Sequence, residues 1–142
     1  MFYLITPGQG AGRMRRNDIM AKTVLVVEDQ PDIRSLTKFI VESIGYNVIE
    51  ATNGYEALRQ ADSRIPDLIL MDIAMPQMNG ITSAALIRNS KNGRSIPIIA
   101  FTSYGREYME MADSFGFDKV VQKPLDEAHM KILLDEYLEN GH

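Results

Sequence analysis

Asp67-Leu68-Ile69-Leu70-Met71-Asp72 is the stretch on which the fold turns. Its four central residues are apolar without alternation, as in a short strand buried on both faces of a parallel sheet, and the run stops on a carboxylate. Outward from it, four further short runs recur: Val24-Leu25-Val26-Val27, Asn47-Val48-Ile49-Glu50, Ile96-Pro97-Ile98-Ile99-Ala100-Phe101 and Lys119-Val120-Val121-Gln122. The second and fifth runs in chain order are shorter and more polar, which suits places at or near sheet edges. Pro97 is tolerable near the beginning of its strand.

Helix-length amphipathic stretches separate the runs. Pro31 starts a helix with Ile33, Leu36, Ile40 and Ile44 on one face, and Gly45 ends it. Asn53-Gly54 turns into a short helix from Tyr55 to Ser63 carrying Ala57, Leu58 and Ala61. Gly80 precedes a third helix around Ser83 to Asn89, and a fourth is expected from Arg106 to Phe115, stopped by Gly116. Asp126 caps the last, whose face is Met130, Leu133, Leu134, Tyr137 and Leu138. Five βα alternations imply an α/β, doubly wound parallel sheet with right-handed crossovers.

A length of 142 residues fits one domain. The net charge of -4 argues against a nucleic-acid surface, which needs clustered Lys and Arg. The absence of cysteine excludes thiolate chemistry and disulfides, and fits a reducing, cytoplasmic setting. No apolar run is long enough to span a bilayer, so no membrane association is expected.

Residues 1–20 read as a flexible tail and 21–142 as the domain. Arg13, Arg15 and Arg16 follow the apolar Met1 to Ile5, the reverse of a signal peptide's order, and Met14 and Met20 offer later translation starts. The glycines at 8, 10 and 12 have neither a preceding strand nor a following Lys-Ser/Thr pair, so they do not make a phosphate loop.

The chemistry gathers where polar residues interrupt the pattern. Glu28-Asp29 follow the first strand, Asp72 the third, Thr102 the fourth and Lys123 the fifth. Open parallel sheets bind ligands outside the carboxyl ends of their strands, so these residues share one rim. Each alone is an ordinary turn or surface residue; together they are not. Three crowded carboxylates call for a cation, and hard oxygen ligands suit magnesium. With the cation present Asp72 remains ionised and can attack a phosphoryl group. Lys123 then offers a point charge and Thr102 a hydroxyl donor to the phosphoryl oxygens.

Residues from about Thr23 to Leu138 resemble the receiver domain of bacterial two-component response regulators, notably single-domain, chemotaxis-type regulators. The matching motifs are Val24-Leu25-Val26-Val27-Glu28-Asp29, Asp67 through Met75-Pro76, Asn79-Gly80, Thr102-Ser103 and Lys123-Pro124-Leu125. The resemblance implies a flavodoxin-like (βα)5 sheet of order 2-1-3-4-5. It makes Asp72 the phosphoacceptor, and Glu28, Asp29, Asp72 and the Ala74 backbone carbonyl the magnesium ligands. Thr102 becomes the hydroxyl that moves toward the phosphoryl group, Lys123 the lysine that pairs with it, and Lys123-Pro124 a cis peptide. The implied partners are a histidine kinase or histidine phosphotransfer protein and a downstream target protein, with the chain a monomer or a phosphorylation-dependent dimer. It implies no enzyme beyond self-phosphorylation and self-dephosphorylation. Since few residues follow Leu138, output is expected through another protein.

One position departs from the family pattern. Many receivers carry an aromatic residue three positions before the lysine, where this chain has Val120. A branched aliphatic cannot swing a ring, so transmission is expected through the Ser103-Tyr104-Gly105 loop, with Tyr104 or Tyr108 as the moving aromatic. His129 and His142 read as surface residues. A haloacid-dehalogenase-like phosphatase is the alternative from another class; it would place Asp-x-Asp after the first strand, and here Ala74 fills the second position. A pseudo-receiver that only binds partners is the third reading, disfavoured by the intact set of polar residues.

Overall fold

The computed structural model describes residues 21–75, 78–103 and 113–139. In chain order these form β1 (Thr23–Val27), α1 (Pro31–Ile44), β2 (Asn47–Ala51), α2 (Gly54–Arg64), β3 (Leu68–Met71), α3 (Gly80–Arg88), β4 (Ile98–Thr102), a 3-10 turn (Asp113–Phe115), β5 (Lys119–Gln122) and α4 (Glu127–Leu138). All strand pairs are parallel, in the order β2-β1-β3-β4-β5. The polar runs β2 and β5 are the edges, as their composition implies. The tail 1–20, Pro76, Tyr104, Tyr108, His142 and most of the helix expected from Arg106 lie outside the described residues.

Alternate strand residues feed opposite faces. Leu25, Val27, Ile69, Met71, Ile98 and Ala100 pack with Ala57, Ala61, Ala84 and Ile87 of α2 and α3. Val24, Val26, Leu68, Leu70, Ile99 and Phe101 pack with Val41 of α1 and with Met130, Leu133, Leu134 and Leu138 of α4. Each fully buried Leu or Ile contributes roughly 1.5–3 kcal/mol of transfer free energy, so two continuous cores make the sheet a rigid platform for its rim.

Four local expectations change. The buried side of α1 runs through Thr37 and Val41, with Ile40 and Ile44 packed beside them, while Leu36 and Phe39 are exposed. The helix α3 begins at Gly80, three residues early, because Asn79 caps it by accepting from the Thr82 amide at 2.9 Å. The fourth strand begins after Pro97, which has no amide to give, although its carbonyl still accepts from Ile69 N at 2.9 Å. Thr102 is therefore the last residue of β4, held in register by pairing with Gln122, and not the first residue beyond it.

Candidate functional site

Strand register carries the polar residues to one level. Val27 pairs with Met71 across β1 and β3, so Glu28 and Asp72 leave the sheet side by side. The Met71–Ala100 and Thr102–Gln122 pairs then bring Thr102 and Lys123 to the same rim. Backbone bonds continue past the strand ends: Asp72 N donates to Val27 O at 3.0 Å, Glu28 N to Ala51 O at 3.1 Å and Lys123 N to Thr102 O at 2.9 Å. Gly80 presses on this corner from above. A Cβ there would lie 2.6 Å from the Asp72 carbonyl oxygen, so any side chain would push α3 off the loop.

Gln30, Ile33, Asp72, Ala74, Thr102, Ser103 and Lys123 line a polar cavity of about 170 Å³. Glu28, Asp72 and Thr102 are buried. Lys123 Nζ reaches Glu28 Oε1 at 2.6 Å, whereas its 3.7 Å to Asp72 Oδ2 is an ion pair too long for a hydrogen bond. It also sits 5.5 Å from the Phe101 ring centroid, and Lys123-Pro124 is cis. The Ala74 amide donates to Asp72 Oδ1 at 3.3 Å.

Burial pushes the Asp72 carboxyl up to about 6; the charges of Glu28 and Asp29 add to the rise, while Lys123 and the Ala74 amide oppose it. Such a site wants more positive charge than Lys123 provides. Glu28, Asp29 and Asp72 each place one carboxylate oxygen within 4.8 Å of the others, and Asp29 Oδ1 is buried without a hydrogen-bond partner. A buried carboxylate oxygen left unpaired is costly, and three convergent hard oxygens are a donor set that fits magnesium.

The structure thus brings together Glu28, Asp29, Asp72, Ala74, Thr102 and Lys123. Val120 lies buried in β5 opposite Ala100, packed in the α2–α3 core. His129 is exposed, its Nδ1 2.7 Å from Asp126 Oδ1 at the cap of α4. Gln30 and Ile33 in the cavity wall were not legible as site residues, although Gln30 directly follows the acidic pair. Gly80 was legible as the residue preceding a helix, but neither as its first residue nor as a close contact.

A family model described as the response regulator receiver domain matches residues 24–135. The chain is 32% identical over 120 residues to the polar-differentiation response regulator DivK of Brucella anthropi, covering 84% of this chain and 98% of DivK. It is 36% identical over 107 residues to the CAI-1 autoinducer sensor kinase/phosphatase CqsS of Vibrio cholerae, covering 74% of this chain but 16% of that longer protein. Among solved structures, the response regulator TrrA of Thermotoga maritima, in complex with Mg(2+)-BeF, is 35% identical with a TM-score of 0.75, covering 82% of this chain and 99% of TrrA. No helix among the described residues is long and apolar enough to cross a membrane.

Proposed function

This chain belongs to the response regulator receiver family, and from that premise we propose that Asp72 is its phosphoacceptor and that Glu28, Asp29 and Asp72 hold magnesium, with the Ala74 carbonyl as a further ligand. The observation that carries the reading is the crowding of three carboxylates around a buried, unpartnered Asp29 oxygen, with Lys123 already bonded to one of them. The receiver is a signalling domain of two-component systems; the donor we assign to it is the phosphohistidine of a kinase or of a histidine phosphotransfer protein.

An Asp72 carboxylate oxygen attacks phosphorus, the phosphorus–nitrogen bond breaks, and the imidazole nitrogen leaves with the electron pair. Magnesium held by Glu28, Asp29 and Asp72 would supply the charge that offsets the carboxylates and the incoming phosphoryl group. Lys123 lies within reach of both Glu28 and Asp72, so a short swing transfers its charge from the glutamate to the new acyl phosphate. Thr102, buried at the end of β4, offers its hydroxyl to the same group. Transfer of this kind depends mainly on positioning and charge neutralisation. The added negative charge biases the rim toward a second arrangement that a downstream protein recognises, and attack of water on the acyl phosphate resets it. These features favour a cytoplasmic module acting through partner proteins.

A phosphohydrolase reading draws no support: the nucleophile follows the third strand, and Ala74 leaves no second aspartate two residues on. Incubation with magnesium and acetyl phosphate should give one hydroxylamine-sensitive phosphoryl group, seen by intact mass and absent from Asp72→Asn. Continuous turnover of varied phosphoesters would instead identify a hydrolase.

A further inference from the structure

Arg34 takes no part in the chemistry above, yet it is bonded to the backbone that carries the acidic pair. Its Nη1 donates to the Glu28 carbonyl at 2.9 Å, and its Nε to Glu50 Oε1 at 3.3 Å. Lys38 Nζ holds the other oxygen of that carboxylate at 3.3 Å. The Arg34 amide donates to Gln30 O at 2.9 Å, so residue 34 grips the 28–30 loop at both ends. Glu28 N continues the β1–β2 ladder through Ala51 O while its carbonyl faces the guanidinium. The Arg34 side chain is only 18% exposed, and a planar guanidinium with two anchored nitrogens has little freedom left.

We propose that Arg34 is a positioning residue for the cation site: it locks the Glu28–Asp29 peptide so that both carboxylates converge on Asp72, with Glu50 and Lys38 aligning the guanidinium. The proposal rests on the magnesium reading given above. Charge and geometry pull in opposite directions here, which makes the role measurable. A positive group near the site repels a divalent cation, so as a bare charge Arg34 would weaken magnesium binding. As a clamp it strengthens binding by preorganising the ligands, as outer-shell partners of metal ligands do.

The test is titration of magnesium alone into the whole protein, by calorimetry or amide chemical shifts, beside thermal unfolding in chelator. Arg34→Lys keeps the charge but loses the fork, and Arg34→Met loses both. The clamp predicts weaker binding in each, roughly three-fold for lysine and roughly tenfold for methionine, with a smaller loss in Glu50→Gln, which touches no ligand. Should Arg34→Met not fold, Arg34→Lys carries the comparison by itself, since bare charge predicts wild-type affinity there and the clamp predicts a loss. Wild-type affinity in Arg34→Lys with tighter binding in Arg34→Met overturns the proposal in favour of bare charge. A lower melting temperature with unaltered magnesium affinity overturns it in favour of a merely structural contact. In both cases the wild type still binds magnesium; a wild type that does not would overturn the reading of the site itself.

Discussion

The two ends of the sheet treat charge in opposite ways. At the amino end, Arg88 of α3 donates to the carbonyls of Gly116 at 3.0 Å, Gly93 at 3.1 Å and Ile96 at 2.5 Å, and to Asp118 Oδ2 at 2.7 Å. Asp118 in turn accepts from Ile98 N at 2.8 Å. At the carboxyl end three carboxylates converge, Lys123 pairs with two of them, Glu28 and Asp72, and a buried oxygen of the third, Asp29, has no hydrogen-bond partner. Among the described residues the first end pairs its charges; the second is held short of positive charge by rigid strands. The contrast shows where this fold keeps its stability and where it keeps its reactivity.

The comparison is broken most severely at the amino end. Arg88→Met takes the donor from three carbonyls and the cation from Asp118, which keeps only the Ile98 amide, and should destabilise the fold by about 2–4 kcal/mol in denaturant unfolding, while the surviving folded protein binds magnesium as before. A change in magnesium affinity would show that the two ends are coupled.

Gly80→Ala attacks the carboxyl end through packing. The new Cβ meets the Asp72 carbonyl at 2.6 Å, so α3 must shift, at about 1–3 kcal/mol. Phosphorylation by acetyl phosphate should slow along with the loss of stability; an unchanged rate would mean that the loop after Asp72 does not need this contact.

Asp72→Asn sharpens the contrast in the other direction. Its carboxyl is raised from 3.8 to about 6, so the folded state holds this proton more tightly than the unfolded chain. The favourable contribution is therefore complete below pH 4 and lost as pH rises through 6. In chelator at neutral pH, Asp72→Asn should be more stable than wild type by about 1–3 kcal/mol, with the gap closing below pH 4. Saturating magnesium should narrow the gap at neutral pH by stabilising the wild type. A wild type at least as stable as Asp72→Asn in chelator would remove the electrostatic argument.

Much of this was legible in sequence because it follows from local rules. Leu68 to Met71 read as a doubly buried strand, and Asp126 caps its helix as expected by accepting the His129 amide, whereas Asn53, read only as a turn, also caps its helix by accepting the Glu56 amide. Leu36 misled because periodicity marks an apolar stripe but not which neighbour covers it. Val120 is seated in the sheet, and the Tyr104 and Tyr108 expected to replace an aromatic there lie outside the described residues.

The sequence by itself determined the order of the described strands and helices, two strands at or near the edges and the polar residues at four strand ends, since side-chain period and turn chemistry act over a few residues. Only the tertiary structure decided that Lys123 rests on Glu28 across 95 positions of chain, that Arg34 grips the Glu28 carbonyl and that Gly80 bears on Asp72. Those contacts depend on register and helix placement, which emerge from the packing of both cores at once.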